Sequence, residues 1–362
     1  MWGKAGSNSV VAVLQQSADS TFLIDEDKPY AELWMGTHVN GPSIVSHDNV
    51  LLSDWIARNP GSLGEKLTAT FGQQLPFLFK VLSINKALSI QAHPSMASVG
   101  TIIICLNASF SGPCQGTKPK VSSFVQDANH KPELAIALTK FEALCGFRSV
   151  EVFSCISGIP ELSAVIGDSL VSKFLESDEE NAQNQLKQCF KALMTAEESL
   201  VESQLLSLIS RLESNENSKT EYQLDLLKRI HNQFSGDVGC FGIYLFNYIV
   251  LAPGEAIYLG ANEIHSYISG DCIECMACSD NVVRAGLTPK FKDVETLCSM
   301  LHYNPEPPRK KLFQSISEDS NTSIFYRLFL ICLIFLNADQ SITLKTYQDS
   351  ETFVCFQAFC NC

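Results

Sequence analysis

The sequence predicts a mainly β protein in which one β domain is interrupted by a helical insertion. Three observations carry this reading. Residues 1–150 hold short apolar runs broken by Gly, Pro, Asn and Asp, as in YAELWMGTHVNGPSIV at 30–45 and LPFLFKVLSINKALSIQAHP at 75–94, the rhythm of strands and turns. From about 151 to 236 the apolar period changes to that of helices. After FSGDVGC (234–240) the strand rhythm returns, so the two β-rich blocks read as one discontinuous domain. The divisions follow as 1–150 for the first β part, 151–236 for the insertion, 237–305 for the remainder of the β domain and 306–362 for a divergent C-terminal segment.

Composition bounds the function classes. In the 362 residues, 46% are hydrophobic and 18% charged, values of a folded globular chain. The formal net charge of −13 argues against nucleic acid or an anionic membrane as a bulk partner, because both select a basic face. A small anionic substrate needs only a local cluster of Lys and Arg, so it stays open. The 14 cysteines would mark a disulfide scaffold in a short secreted chain. Here the opening MWGKAGSNSV has no apolar segment of signal-peptide type, and the cysteines read as reduced and buried, as expected in the cytoplasm. The apolar run LFLICLIFL at 328–336 is about half of the roughly 20 residues a spanning helix needs, and reads as a buried strand or as misfit sequence rather than a membrane anchor.

In the helical block, TAEESLVESQLLSLISRLES places Val201, Leu205, Leu208 and Leu212 on one stripe, with Thr195 and Glu198 spaced as a capping box. SKTEYQLDLLKRIHNQF repeats the pattern with Leu224, Leu227 and Phe234, and with Ser218 and Glu221 as a second cap. ESNENSK (213–219) reads as the polar connection between them. In the returning β block, Pro253-Gly254 and Gly270-Asp271 read as turns.

Four stretches carry titratable side chains in patterns that invite chemistry. In KALSIQAHPSM (86–96), Leu88, Ile90 and Ala92 alternate with Ser89, Gln91 and His93, so a strand would line the polar three on one face. That row suits metal ligands, substrate contacts, or the wet side of an edge strand. In NHKPE (129–133), His130, Lys131 and Glu133 surround Pro132, which marks a strand start or an edge; they form either a surface cluster or a site. His265, in GANEIHSYISGD, gains interest only if it joins Gln91, His93 and Glu133. Two imidazoles, a carboxylate and an amide oxygen make an N/O set for a divalent metal, with the absence of thiolate pointing to a catalytic rather than a structural site. In SDNVVRAGLTPKFKD (279–293), Arg284 with Asp280 either projects into a cavity from a strand end or belongs to a solvated loop. CIECMAC offers Cys272, Cys275 and Cys278, but i and i+3 on a strand face opposite sides, so these read as core cysteines rather than a zinc knuckle.

Taken in order, WGK at 2–4, PYAELWMGTH at 29–38, the 75–94 stretch, NHKPELAIALTKFEALCGFR at 129–148 and the long run 236–297 resemble type I phosphomannose isomerase, a zinc enzyme of the cupin superfamily. The resemblance covers most of residues 1–300. It implies a cupin-type β-sandwich or barrel (jelly roll) with an inserted helical domain. It further implies one zinc ion per chain, held by Gln91, His93, Glu133 and His265. Ser89, Lys131 and Arg284 match polar residues around the sugar-phosphate pocket, and His130 and Asp280 match residues near the reaction. The implied activity is interconversion of mannose 6-phosphate and fructose 6-phosphate, supplying GDP-mannose synthesis, by a cytoplasmic monomer. Residues 95–127 and those beyond about 324 depart from the family pattern, so the second, C-terminal cupin domain is expected to be missing or truncated, and a catalytically impaired cupin-like form is the alternative to an active enzyme. A redox cupin fits less well, because iron sites of that kind use a compact two-histidine, one-carboxylate triad.

Overall fold

A computed structural model describes residues 1–95, 130–149, 158–215 and 220–317, followed by the strands 322–327, 330–336, 341–345 and 356–359. Two short ladders, β1 (Lys4–Ala5) with β2 (Pro29–Tyr30) and β4 (Ile44–Val45) with β5 (Val50–Leu51), flank a ten-stranded antiparallel sheet. Its strands are β3 (Glu32–Met35), β6 (Phe77–Ile84), β7 (Ile90–Ala92), β8 (Glu133–Ala137), β9 (Phe141–Phe147), β10 (Phe246–Leu251), β11 (Ala256–Leu259), β12 (His265–Ala277), β13 (Val283–Gly286) and β14 (Leu312–Phe313).

The long strand β12 belongs to both halves of this sheet. Its C-terminal part, Gly270–Ala277, lies between β6 and β8, and extends through β3 on one side and through β11 and β14 on the other. Its N-terminal part pairs with β9 and, at His265, with β7, which in turn carries β13. Between the halves sits a shared core of Leu82, Ile84, Ala135, Ala137, Ile257 and Leu259 from one and Phe141, Ala143, Ile249, Leu251 and Tyr267 from the other. This is the jelly-roll arrangement, two antiparallel layers folded over one apolar interior.

Strand alternation then assigns each face a partner. The opposite face of the β6 half, with Phe77, Phe79, Val81 and Ile273, packs on Val11, Leu14, Ile56 and Leu63 from short helices at Val10–Ala18, Leu52–Arg58 and the turn before Gly64–Phe71. These N-terminal helices are absent from the β-rich reading of residues 1–150; their apolar periods are only two turns long and blend with the strand pattern. The opposite face of the β7 half, with Ile90, Ala92, Leu144, Val283 and Ala285, packs on the insertion. Cys272 joins the interior core and Cys275 the outer one, so these two cannot share a metal and behave as small apolar residues.

The insertion contains helices Pro160–Ile166, Asp168–Leu175, Glu179–Met194, Glu198–Glu213 and Leu224–Gln233. The predicted stripe Val201, Leu205, Leu208 and Leu212 is buried, as are Leu224 and Leu227, with Phe234 packed at the edge. The capping box fails. The helix before it runs to Met194, and Thr195 donates its hydroxyl back to the Lys191 carbonyl at 2.8 Å, so the next helix starts after Glu197 without a side-chain cap. Ser218 lies outside the described residues; its partner helix begins after Gln223, which sits at φ 50°. A half-buried ion pair, Arg211 to Glu161 at 2.7 Å through two nitrogens, ties two of the helices. Arg229 reaches across to Glu142 on β9 at 2.8 Å and ties the insertion to the sheet.

Residues Ile316–Phe359 contribute a separate five-stranded antiparallel sheet, β15 (Ile316–Ser317), β16 (Thr322–Arg327), β17 (Leu330–Leu336), β18 (Ser341–Lys345) and β19 (Phe356–Phe359), in that spatial order. The apolar run at 328–336 thus supplies a strand, and its first two residues lie outside the described ones. Among the described residues no helix is long and apolar enough to cross a membrane. The 95–127 departure, from residue 96 onward, also lies outside the described residues.

Pro253-Gly254 forms the expected turn, with Gly254 at φ 85°, but Gly270-Asp271 does not. Gly270, at φ 112°, lies inside β12 where the strand leaves one half for the other, and a Cβ there would meet the Lys140 carbonyl oxygen at 2.4 Å. Glycine therefore serves here to let a continuous strand bend past a neighbouring backbone. Asp271 follows it, fully buried, accepting from Ser83 Oγ at 2.6 Å and Thr139 Oγ1 at 2.9 Å and pairing with Lys4. Gly270→Ala is expected to destabilise the chain by roughly 2–4 kcal/mol, from left-handed strain plus the close contact. A urea-unfolding midpoint equal to wild type would show that β12 crosses between the halves without needing this bend.

Candidate functional site

Three neighbouring strands place Arg284, Gln91 and His265 in a row. Gln91 on β7 is directly opposite His265 on β12 and directly opposite Arg284 on β13. Cross-strand partners of this kind project to the same face. The alternation in KALSIQAHPSM explains which face: Ile90 and Ala92, fully buried, point to the helical insertion, leaving Ser89, Gln91 and His93 on the interior side. Glu133 comes from the other half, as the first residue of β8 after Pro132, where it pairs with Met276 and Leu259. The fold thus brings together side chains from positions 91, 93, 133 and 265.

Glu133 is the centre of the cluster. Its Oε1 lies 3.1 Å from His93 Nε2 and 3.0 Å from Lys131 Nζ, and its Oε2 lies 3.4 Å from His265 Nε2. His93, Glu133 and His265 are each about 2% exposed or less, and the two imidazole centroids are 5.2 Å apart. Gln91 Nε2 is 3.5 Å from His93 Nε2, and its Oε1 accepts from Ser89 Oγ at 3.0 Å.

The hydrogen bonds on the outer ring nitrogens decide what the inner ones can do. His93 Nδ1 faces the Asn281 carbonyl at 2.6 Å, and His265 Nδ1 faces the Glu263 carbonyl at 3.0 Å. A carbonyl only accepts, so each Nδ1 carries the hydrogen and each Nε2 presents a lone pair to the centre. A ring held in this way, with its outer N–H on a carbonyl, is oriented as a metal-ligating histidine is. Glu133 Oε2 and His265 Nε2 are buried without a hydrogen-bond partner among the described residues, although they face one another. One ligand atom from each of His93, Glu133 and His265 lies within 4.8 Å of the others, so the three fit around one cation. Two lone pairs and a carboxylate converging with unfilled hydrogen-bonding capacity are donors without a proton to share, and a cation satisfies all three.

The electrostatics agree. Burial pushes the His93 imidazole from its ordinary 6.5 down to about 4, against the pull of Glu133, so it is neutral at neutral pH. Burial alone would raise the Glu133 carboxyl, but the Lys131 ammonium beside it holds it well below the ordinary carboxylate range. Burial lowers the pKa of the Arg284 guanidinium from its ordinary value. Lys131 stands beside Glu133, 12% exposed, with Arg284 and Ser89 half-buried. His130 and Asp280 are exposed, Asp280 accepting from His38 Nε2 at 3.3 Å.

Further charges share this interior and escaped the sequence reading. Lys80 on β6 is opposite Glu274 on β12 and Trp34 on β3, with Nζ 3.6 Å from Glu274 and from Glu32 and 4.7 Å from the Trp34 ring centroid. Burial and the nearby Glu133 raise the Glu274 carboxyl. Lys80 is held charged by Glu274, Glu32 and Glu133 against the desolvation that would lower it. A lysine in FLFKVLSI and a glutamate in CIECMA, each alone in an apolar strand, were the available signal. A charge on the inward face of a buried strand needs a partner or a purpose.

A jelly roll with a buried His–Glu–His group at the junction of its two halves and a helical insertion behind it defines a cupin-type metalloprotein. The chain matches "Phosphomannose isomerase type I, catalytic domain" over residues 1–150 and the helical insertion domain of the same family over residues 165–246. It is 46% identical over 329 residues to mannose-6-phosphate isomerase of Rattus norvegicus, an alignment covering 88% of this chain and 74% of that protein. Among solved structures, a mutant of phosphomannose isomerase from Salmonella typhimurium superposes with a TM-score of 0.72 at 29% identity, covering 92% of this chain and 80% of that one. A zinc-bound mannose 6-phosphate isomerase superposes with a TM-score of 0.68 at 32% identity, covering 85% and 75%. The chain belongs to the type I phosphomannose isomerase family.

The buried, neutral His93 makes stability pH-dependent once divalent metal is removed by chelation. Its depressed value means the unfolded chain takes up a proton at higher pH than the folded one. Its contribution is fully present above about 6.5 and is lost as pH falls through the folded value of about 4. Denaturation midpoints measured across that window should fall with pH in the chelated wild type and fall less in His93→Asn; equal slopes would remove His93 as the cause.

Proposed function

We propose that this chain is a zinc-dependent aldose–ketose isomerase interconverting mannose 6-phosphate and fructose 6-phosphate. The observation that carries the reading is the buried triangle of His93, Glu133 and His265, with both Nε2 lone pairs turned inward by backbone carbonyls. Gln91 is the proposed fourth ligand. Rotating its amide by half a turn presents Oε1 to the centre and leaves Nε2 to donate to Ser89 Oγ. Zinc, when bound, supplies a Lewis acid that stabilises oxyanion charge at the reacting end of the sugar.

The reaction moves a proton between C1 and C2 through an enediol, so charge must be met where it develops. Arg284 stands beside Gln91 in the same cross-strand row, which supports a place at the reacting end rather than at a distant phosphate. Lys131, against Glu133, offsets the buried negative charge and presents its remaining donors to the substrate. Ser89 orients Gln91 and faces the same space. His130 and Asp280, both exposed, are the titratable candidates for proton transfer. Family membership supports the wider setting: supply of mannose for GDP-mannose, in the cytoplasm, by a monomer with one ion per chain.

A coupled isomerase assay with metal analysis on the purified chain tests the reading. His93→Ala should lose bound zinc and lower turnover at least ~10²-fold. Zinc retained at wild-type level in that variant would remove the ligand assignment; zinc bound by wild type without turnover would make the chain the catalytically impaired form. Arg284→Ala should keep its zinc and lose kcat by about 10²-fold. A rise in KM alone would move Arg284 to the phosphate end.

A further inference from the structure

Asn262 joins the two chain segments that carry the histidines, and no step of the proposed reaction uses it. It is 6% exposed and sits at φ 61°, a left-handed conformation that asparagine tolerates better than most side chains. β7 ends at Ala92, and Pro94 has no N–H with which to extend a ladder. Asn262 takes over on both sides of that proline. Its main-chain N–H donates to the His93 carbonyl at 2.7 Å, and its Oδ1 accepts from the Ser95 N–H at 3.0 Å.

The other side of Asn262 faces the second histidine. The next residue is Glu263, whose carbonyl takes the His265 Nδ1 hydrogen at 3.0 Å. The Asn262 carbonyl accepts from the His302 N–H at 3.0 Å, which fixes the turn to the segment after the helix Val294–Met300. Moving residue 262 therefore moves the backbone of His93 and the carbonyl that orients His265 together.

We propose that Asn262 is a positioning residue that sets the spacing of His93 and His265, so that both Nε2 lone pairs meet at one cation before it binds. This rests on the metal-centre reading above. Groups that hold metal ligands in place commonly change affinity by about 10–100-fold when removed. The side-chain bond to Ser95, rather than the turn conformation, is the part that a substitution can isolate.

The test uses the full chain, stripped by a chelator and titrated with zinc against a chromophoric competitor, with urea unfolding of each stripped protein in parallel. Asn262→Asp keeps an acceptor for Ser95 and should bind zinc as wild type does. Asn262→Ala should bind about 10–100-fold more weakly, and so should Asn262→Gly, which adopts φ 61° without the strain that alanine meets there. Unchanged zinc affinity in Asn262→Gly, with only its unfolding midpoint lowered, would reduce Asn262 to a fold residue and overturn the inference. Wild type that binds no zinc would overturn the metal-centre reading itself, and the inference with it.

Discussion

The constraint on which the site depends is a carboxylate at the bottom of a closed interior. Glu133 is desolvated, and an ionised carboxylate there is tolerable only with opposite charge or strong donors around it. Its two nearest histidine nitrogens carry no hydrogen toward it, because both rings spend theirs on backbone carbonyls. Lys131 is left as the one cation at contact distance among the described residues. The same burial that makes the carboxylate costly keeps His93 neutral and its lone pair available. Two lone pairs and a negative oxygen around one point form a potential well for a cation, built by dehydration of the interior.

Backbone topology delivers the members of that cluster from distant positions. β12 is the common element: its first residue is His265, its far end pairs with the strand that begins at Glu133, and its bend at Gly270 turns one layer over the other. Register does the rest. Because Gln91 is opposite both His265 and Arg284, their side chains share a face without any local sequence relation between positions 91, 265 and 284.

Much of this was legible in the residues. The alternation around Gln91 gave the polar row but not which way it faced, Pro132 marked the start of β8, and the 3.6-residue stripe from Val201 to Leu212 gave the insertion its core. Other features were not legible for physical reasons. Thr195 reads as an N-cap because its neighbours suit one, yet the preceding helix claimed its hydroxyl first. Gly270-Asp271 reads as a turn, because glycine next to aspartate is locally ambiguous between a chain reversal and a bent strand; only the pairing of β12 on both sides decides it. Lys80 and Glu274 are separated by nearly two hundred positions, so their partnership exists only in the register of β6 against β12. Family resemblance supplied what spacing could not, the expectation that Gln91, His93, Glu133 and His265 act together; the structure brings His93, Glu133 and His265 around one point.

The two faces of β7 belong to two different interiors: Ile90 and Ala92 seal against the helical insertion while Gln91 faces the side of His93 and His265. The insertion is thus the outer wall of the chamber, and the β domain has no self-sufficient boundary on that side. A fragment made by joining the β blocks across residues 151–236 would leave that apolar face, with Leu144, Val283 and Ala285, open to water. The smallest autonomous folding unit of this part of the chain is therefore larger than its jelly roll.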